Sequence, residues 1–245
     1  MKAVILAAGR GTRIRSVHGE HPKCLIEVDN TTILDHQLNA LSTVGINEVA
    51  IVVGYEKEQI IAHVHARKLA TQRIHFIENP AFASTNNIYS LWLALDWLGG
   101  DSFIVLNADL ICDPKILDLA LRPQAPISVM VDPLWRDETM KVIILDDHVI
   151  RVRKKISREE FSGTSIGIIV FCKAIQDRLV RKMKDLIVAG QVNEFFTVAV
   201  EELASEGVPV GYTTTDGLPW AEIDDPIDLT FAQQNVFPQL TPVVM

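Results

Sequence analysis

The stretch that most constrains this chain is its opening, MKAVILAAGRGTR. Residues Ala3 to Ala8 form an unbroken apolar run, which suits a short strand buried on both faces of a sheet. Gly9 and Gly11 then permit backbone conformations and close approaches that a side chain would block. Arg10, Arg13, Arg15 and Lys23 crowd the same region. A buried strand that runs into a cation-rich glycine turn can hold an anion. On glycines and arginines alone, a tight turn with solvated arginines explains the stretch equally well.

Two known phosphate loops do not fit. A dinucleotide fingerprint, G-x-G-x-x-G, would need glycine at position 14, which is Ile14, and no Gly-Lys-Ser/Thr follows at Walker A spacing. What stands is L-A-A-G-x-G-T-R followed by Pro22-Lys23. Charge sharpens the reading. Residues 1–25 hold five cations (Lys2, Arg10, Arg13, Arg15, Lys23) and one acid (Glu20), on a chain whose net charge is −8. A positive opening on an acidic chain points to a small polyanion and argues against a nucleic-acid partner.

The apolar opening is too short for a signal peptide core or a membrane span, so a cytoplasmic protein without a membrane partner is expected. Cys24, Cys112 and Cys172 are odd in number and far apart, which favours reduced thiols over a disulfide frame or a metal cluster. His63 and His65 would point to different faces of a helix. Oligomeric state stays open, a homo-oligomer included.

Strand and helix patterns alternate through the first half. Leu34, Leu38 and Leu41 mark a helix face with Gly45 as its stop, "EVAIVVG" reads as a second buried strand, and "EKEQIIAHVHARKLA" as a helix. "RIHFIEN" is a short strand, and "TNNIYSLWLALDWLGG" is a helix capped by Thr85 or Asn86. "SFIVLNAD" is another strand, and Asp113-Pro114 opens a helix through Leu121. This succession predicts an α/β fold, Rossmann-like, with a mostly parallel mixed sheet and helices on both faces. The second half is less regular. "MKVIILDDHVIRVRKK" reads as a hairpin turning at Asp146-Asp147, and "SIGIIVF" as a strand. Helices are expected over Ile175–Ala189 and Glu194–Ser205, short strands at "PVGYTTTDG" and "WAEID", and a closing helix near Pro226. No repeat, low-complexity linker or composition break interrupts residues 1–245, so one domain is expected.

In open α/β sheets, ligands sit beyond the carboxyl ends of the strands. One such end carries the glycine turn, a second delivers Asp109 after "IVLNA", and a third delivers Glu222, Asp224 and Asp225 in "WAEIDDP". Carboxylates there can hold Mg²⁺, which prefers oxygen ligands and shares them with substrate phosphates. For Asp109 by itself, a capping or loop role is as good an account.

"ILAAGRGTR…PKCL", Gly54-Tyr55, "NAD" at Asp109 and "EID" at Asp224 together resemble the nucleotidyltransferases that activate sugar phosphates and related phosphomonoesters. The resemblance covers nearly the whole chain. "NPAFASTNNIYSLWLA", "MKV" at Lys141 and "WAEID" are most similar to the small bacterial phosphocholine cytidylyltransferases and their phosphonate-cytidylylating relatives. Hexose-1-phosphate enzymes carry a glycine-rich segment where this chain has "STNNIYSL". Two positions depart from the pattern: Ser16-Val17-His18 replaces Pro-Leu-Thr, and Thr164 replaces an acid. The second bears on which acceptor is used.

The resemblance implies transfer of a nucleotidyl group, CMP from CTP, to a small phosphomonoester or phosphonate such as phosphocholine, releasing pyrophosphate. Residues 1–125 would bind the nucleotide and 126–245 the acceptor. Catalytic roles fall to Arg13 on the leaving pyrophosphate, Lys23 on the α-phosphate, and Asp109, which with Asp224 would hold Mg²⁺. Leu6, Ala7, Ala8, Gly9, Gly11 and Thr12 would embrace the nucleotide, with Asn86 and Asn107. Asn87, Lys141, Trp135, Trp220 and Glu222 are the acceptor candidates. Trp135 follows a strand and Trp220 precedes Asp224, so each either faces the pocket or packs. Trp92 and Trp97 lie in a helical apolar pattern and read as core. Two alternatives stand beside this: a sugar-1-phosphate enzyme using UTP, dTTP or GTP, and a catalytically idle nucleotide sensor. A sensor would lose a metal carboxylate or the phosphate lysine, and this chain keeps Arg13, Lys23, Asp109 and Asp224.

Overall fold

The computed structural model describes residues 1–67, 71–122 and 125–241, without the side chains of Val17 and His18. The strands in chain order are β1 (Lys2–Ala7), β2 (Glu27–Val28), β3 (Thr31–Thr32), β4 (Glu48–Val53), β5 (Arg73–Glu78), β6 (Phe103–Asn107) and β7 (Leu110–Cys112). They continue with β8 (Ile127–Asp132), β9 (Met140–Leu145), β10 (His148–Arg153), β11 (Gly163–Phe171), β12 (Val210–Thr214) and β13 (Trp220–Glu222). The helices are α1 (Arg15–His18), α2 (Ile33–Thr43), α3 (Lys57–Ala66), α4 (Asn87–Leu98), α5 (Pro114–Ala120), α6 (Gln176–Val188), α7 (Thr197–Ser205) and α8 (Pro226–Phe231).

Alternation along β1 explains the two layers of helices. Ala3, Ile5 and Ala7 pack in one core with Leu34, Leu38 and Leu41 of α2, Ile60 of α3 and Leu117 of α5. Val4 and Leu6 point the other way, into a core with Leu91 of α4, Met183 of α6 and Leu203 of α7. Successive strand side chains alternate faces, so a strand apolar at every position must be covered on both. A third cluster joins Ile14, Ile33, Ile111, Ile223 and Leu229, tying α8 and β13 to the opening segment.

The main sheet runs β10-β9-β11-β6-β1-β4-β5, with β8 paired to β11 and β12. Strands β6, β1, β4 and β5 are parallel neighbours, whereas β11 lies antiparallel to β6, β8 and β9. The chain goes outward from β1 to β4 and β5, then returns to the other side of β1 as β6. A crevice forms at that reversal of strand order, above the carboxyl ends.

Most expected elements form. The helix expected over residues 56–70 is α3, and its last expected residues, 68–70, lie outside the described residues. Glycine Gly45 (φ +78°) ends α2, and Gly99 (φ +60°) ends α4. One helix starts later than its pattern suggests: α7 begins at Thr197, because Glu194 O accepts the Ile88 N–H and residues 192–196 brace α4. Among the described residues, no helix is long and apolar enough to cross a membrane.

Candidate active site

One cavity of about 340 Å³ opens at the crevice. Leu6, Ala7, Ala8, Gly9, Gly11, Thr12 and Arg13 line it from the first turn, and Lys23 from the segment after it. Asn86 and Asn87 reach it from the start of α4, Asn107 and Asp109 from the end of β6, and Glu222 and Asp224 from the end of β13. Residues from both halves of the chain therefore share one wall.

Gly11 has φ +57°, and a Cβ there would lie 2.9 Å from Lys23 Cβ. Glycine at this position gives the turn its left-handed residue and lets the lysine pack against it. Gly54 answers a second close approach, since its Cβ would fall 2.9 Å from Ala8 O, while Tyr55 N–H donates to that same carbonyl at 3.1 Å.

Lys23 is the hub. Its Nζ donates to Asp109 Oδ2 at 2.8 Å and to Asp224 Oδ1 at 2.5 Å, and Arg13 Nη2 lies 2.8 Å from Asp224 Oδ2. Burial works against the ammonium, but the Asp109 and Asp224 carboxylates more than reverse it and hold its pKa above the usual lysine value. Burial likewise disfavours the Asp224 carboxylate, and Lys23 with Arg13 overcomes this and lowers its pKa. Glu222 has no such partner. Burial, reinforced by the Asp109 and Asp224 charges, pushes its pKa up to about 8.

The carboxylates are held by hydrogen bonds from three directions. Gln37 of α2 donates Nε2 to Asn107 O (2.7 Å) and Leu110 O (2.9 Å), clamping the turn that bears Asp109. Ile223 N–H donates to Asp109 O at 2.9 Å, which locks that turn to β13. Asp225 caps α8 and Asp228 accepts the Asp224 N–H at 2.9 Å, so these two acids orient the segment without entering the cavity wall.

Asp109 Oδ1 is buried and has no hydrogen-bond partner, the kind of oxygen a cation would satisfy. Oxygen-only donors suit a hard ion such as Mg²⁺. Among the described residues no three His, Cys, Asp or Glu side chains converge as a metal site. An ion at Asp109 and Asp224 would need phosphate oxygens to complete its shell, and the donor set fits that arrangement.

The acceptor candidates divide. Glu222 and Asn87 line the cavity, although Asn87 Oδ1 is engaged by the Phe196 N–H at 2.8 Å and Asn86 Oδ1 caps α4 by accepting the Asn87 N–H. Lys141, Trp135 and Trp220 do not line it, which corrects their expected placement. Met140 faces the cavity, and alternation along β9 turns Lys141 the other way. There Lys141 is 3% exposed, donates to Thr139 O at 2.9 Å and sits 5.0 Å from the Trp135 ring centroid. The Trp135 indole donates to Asp137 Oδ1 (2.8 Å) and meets Phe161 edge-on. Trp220 is buried, donates to Asp132 Oδ2 at 2.7 Å and carries the Arg136 guanidinium over its face at 4.1 Å. A buried indole N–H needs a partner, and Asp132 takes Trp220 into the core.

Lys154 takes the place expected of Lys141. It lines the cavity just past β10, with Nζ 5.6 Å from the Phe195 ring centroid. A bulge between Val149 and Arg151 shifts the alternation by one residue, so Val152 rather than Arg151 is buried. Two positions on, Lys154 turns inward. Hydrophobic alternation in the sequence carries no sign of that bulge. Phe195, Phe196 and Thr197 also line the cavity without a sequence signal beyond helix pattern.

Fold, glycine turn and cation-bridged carboxylates together fit an α/β domain of the NTP transferase class. Residues 3–158 match the family described as MobA-like NTP transferase domain, and the chain belongs to that family. It is 30% identical over 240 residues to the CMP-5'-(3-aminopropyl)phosphonate synthase of Streptomyces rubellomurinus, covering 93% of this chain and 37% of that protein. It is 38% identical over 109 residues to the choline-phosphate cytidylyltransferase of Streptococcus pneumoniae, covering 44% of each. Both alignments span less than half of the relative's length. The inositol-1-phosphate CTP transferase from T. maritima shares the fold, with a TM-score of 0.79 at 20% identity over 96% of this chain and 97% of that one.

Proposed function

We propose that this chain transfers CMP from CTP to a small phosphomonoester or phosphonate and releases pyrophosphate, as one unit with its nucleotide side in residues 1–125 and its acceptor side in 126–245. The observation that carries the reading is the triad of Lys23, Asp109 and Asp224 beside the glycine turn, with two further cations, Arg13 and Lys154, lining the same cavity. Relatives whose names specify CMP or cytidylyl transfer support the choice of base.

The chemistry follows from charge. An acceptor oxygen attacks the α-phosphorus, the bond to the β-phosphate breaks, and pyrophosphate leaves in line. Two anions must meet, so cations matter more than a base, and an ionised phosphate or phosphonate is already nucleophilic. Lys23 moves its charge from the carboxylates to the α-phosphate as negative charge develops there, and Arg13 does the same for the leaving pyrophosphate. Asp109 and Asp224 would hold Mg²⁺, which supplies neutralisation of the triphosphate charge when bound. Lys154 binds the acceptor's phosphate or phosphonate, and the backbone from Leu6 to Thr12 surrounds the nucleotide with Asn86 and Asn107.

Pyrophosphate release, measured with four nucleoside triphosphates against a panel of small phosphomonoesters, phosphonates and hexose 1-phosphates, tests this. CTP is expected to lead by at least ~10-fold in kcat/KM, the worth of one well-placed polar discrimination. A preference for UTP or dTTP with a hexose phosphate would overturn it.

A further inference from the structure

One polar side chain breaks the apolar face of α2. Gln37 falls on the same stripe as Leu34, Leu38 and Leu41, and like them it is buried, at 3% exposed. Its Nε2 gives both hydrogens to backbone, one to Asn107 O at 2.7 Å and one to Leu110 O at 2.9 Å. Only the NH₂ end of the amide can do this, so its orientation is fixed. Oε1 is then left buried with no hydrogen-bond partner. A buried acceptor without a partner is costly, and a methionine of similar length would fill this stripe without one. The two carbonyls it holds, and not the core around it, account for glutamine at this position.

Those carbonyls bracket Asp109. The chain leaves β6 at Asn107 and enters β7 at Leu110, so Gln37 holds the turn on both sides of the carboxylate. From the end of β13, Ile223 N–H donates to Asp109 O at 2.9 Å. With the backbone held, the bond from Lys23 Nζ to Oδ2 (2.8 Å) leaves Oδ1, buried and unpartnered, as the oxygen open to a cation. Mg²⁺ tolerates little error in such an oxygen, because it requires near-octahedral ligands at about 2.0–2.1 Å. Gln37 does not line the cavity, so any influence on that oxygen passes through the turn.

We propose that Gln37 is a positioning residue that aims Asp109 and so sets the affinity of the site for Mg²⁺. This rests on the transfer reading above, in which Asp109 and Asp224 hold the ion. The test compares the full chain with Gln37→Met, which keeps the length and loses both donors. Asp35→Asn is the control: it loosens the same helix where Asp35 holds His63 and Arg67, away from the turn. For each protein the CTP-induced rise in melting temperature is titrated with Mg²⁺, and pyrophosphate release is titrated in parallel. Gln37→Met should raise the Mg²⁺ concentration at half-maximal rise by ~10-fold, the scale expected when a group that orients a metal ligand is lost. Turnover should show the same displacement, and CTP binding in excess chelator should not change. Asp35→Asn should lower the melting temperature and leave the Mg²⁺ midpoint in place. Gln37→Asn, a methylene shorter and unable to span both carbonyls, should move the midpoint in the same direction, and it decides the case if Gln37→Met does not melt cooperatively. An unmoved midpoint in the Gln37 variants, or an equal displacement by Asp35→Asn, overturns this inference alone and leaves Gln37 a purely structural bond. A parent whose CTP response does not depend on Mg²⁺ overturns the two-carboxylate reading and this inference with it.

Discussion

Three lysines around one cavity illustrate how little residue type says about role. Lys23 is bonded to two carboxylates, Lys154 lines the cavity over the Phe195 ring, and Lys141 is buried against Trp135 on the opposite face of β9. Their removal should therefore give three different phenotypes. Lys23→Ala takes away charge needed in the transition state, and kcat at saturating substrates should fall by at least ~10²-fold. Lys154→Met should act chiefly by raising the acceptor KM. Lys141→Met should leave both constants near normal and lower the melting temperature, because it removes a hydrogen bond to Thr139 O and a cation–aromatic contact from a buried position. Steady-state kinetics and thermal melts on the three variants separate these outcomes. If Lys141→Met raises the acceptor KM and Lys154→Met does not, the placement of the acceptor site is wrong.

Between elements, a polar joint fastens α3 to α2 below the clamp that Gln37 makes. Thr32 caps α2 by accepting the Asp35 N–H at 3.1 Å, and Asp35 Oδ1 receives His63 Nε2 at 2.9 Å and the Arg67 guanidinium. Burial raises the Asp35 pKa, and the His63 hydrogen bond and the Arg67 charge outweigh it, leaving the carboxyl below its usual value. A carboxyl with a depressed native pKa stabilises the fold above its unfolded value of about 3.9, and that contribution is lost as pH falls through the native value. Asp35→Asn should thus cost about 1.5–3 kcal/mol at pH 7, on the scale of hydrogen bonds to charged groups, and less at pH ~2. Urea unfolding of both proteins at the two pH values measures it; an equal penalty at both would mean that packing, not charge, holds the joint. None of this was visible in the sequence, where Asp35, His63 and Arg67 are 28 to 32 residues apart at the least and greatest separations from Asp35.

At the scale of the whole molecule, legibility followed the origin of the signal. The parallel strands β1, β4 and β6 are buried on both faces and read directly as apolar runs, so the fold and the wall holding Arg13, Lys23 and Asp109 were accessible from the sequence. The antiparallel side depends on a bulge in β10 and on Gly167 (φ +79°), where β11 changes partners and a Cβ would strike Asn107 Nδ2 at 2.7 Å. Such shifts decide which side chains face inward, and the bulge in β10 is why alternation alone does not point to Lys154, whereas on β9 the regular pleat gives the cavity to Met140 and turns Lys141 away. The cavity nevertheless joins both sides: Asp109 follows β6, Asp224 follows β13, and Ile223 N–H bonds Asp109 O across the seam. A triphosphate that binds through both carboxylates should therefore stabilise the whole fold. At a concentration 100 times its Kd, a ligand adds about 2.7 kcal/mol. For a chain of 245 residues, at roughly 2–4 °C per kcal/mol, that is about 5–10 °C in Tm. CTP with Mg²⁺ should produce this shift, and CTP with excess chelator should produce much less. In Asp109→Ala and Asp224→Ala the metal-dependent part should vanish and turnover should fall by at least ~10²-fold, while the Tm of the variants without nucleotide should itself fall, because each leaves the buried Lys23 ammonium with one carboxylate fewer. Differential scanning fluorimetry with and without chelator reads each case, and a full Mg²⁺-dependent shift in either variant would sink the two-carboxylate assignment.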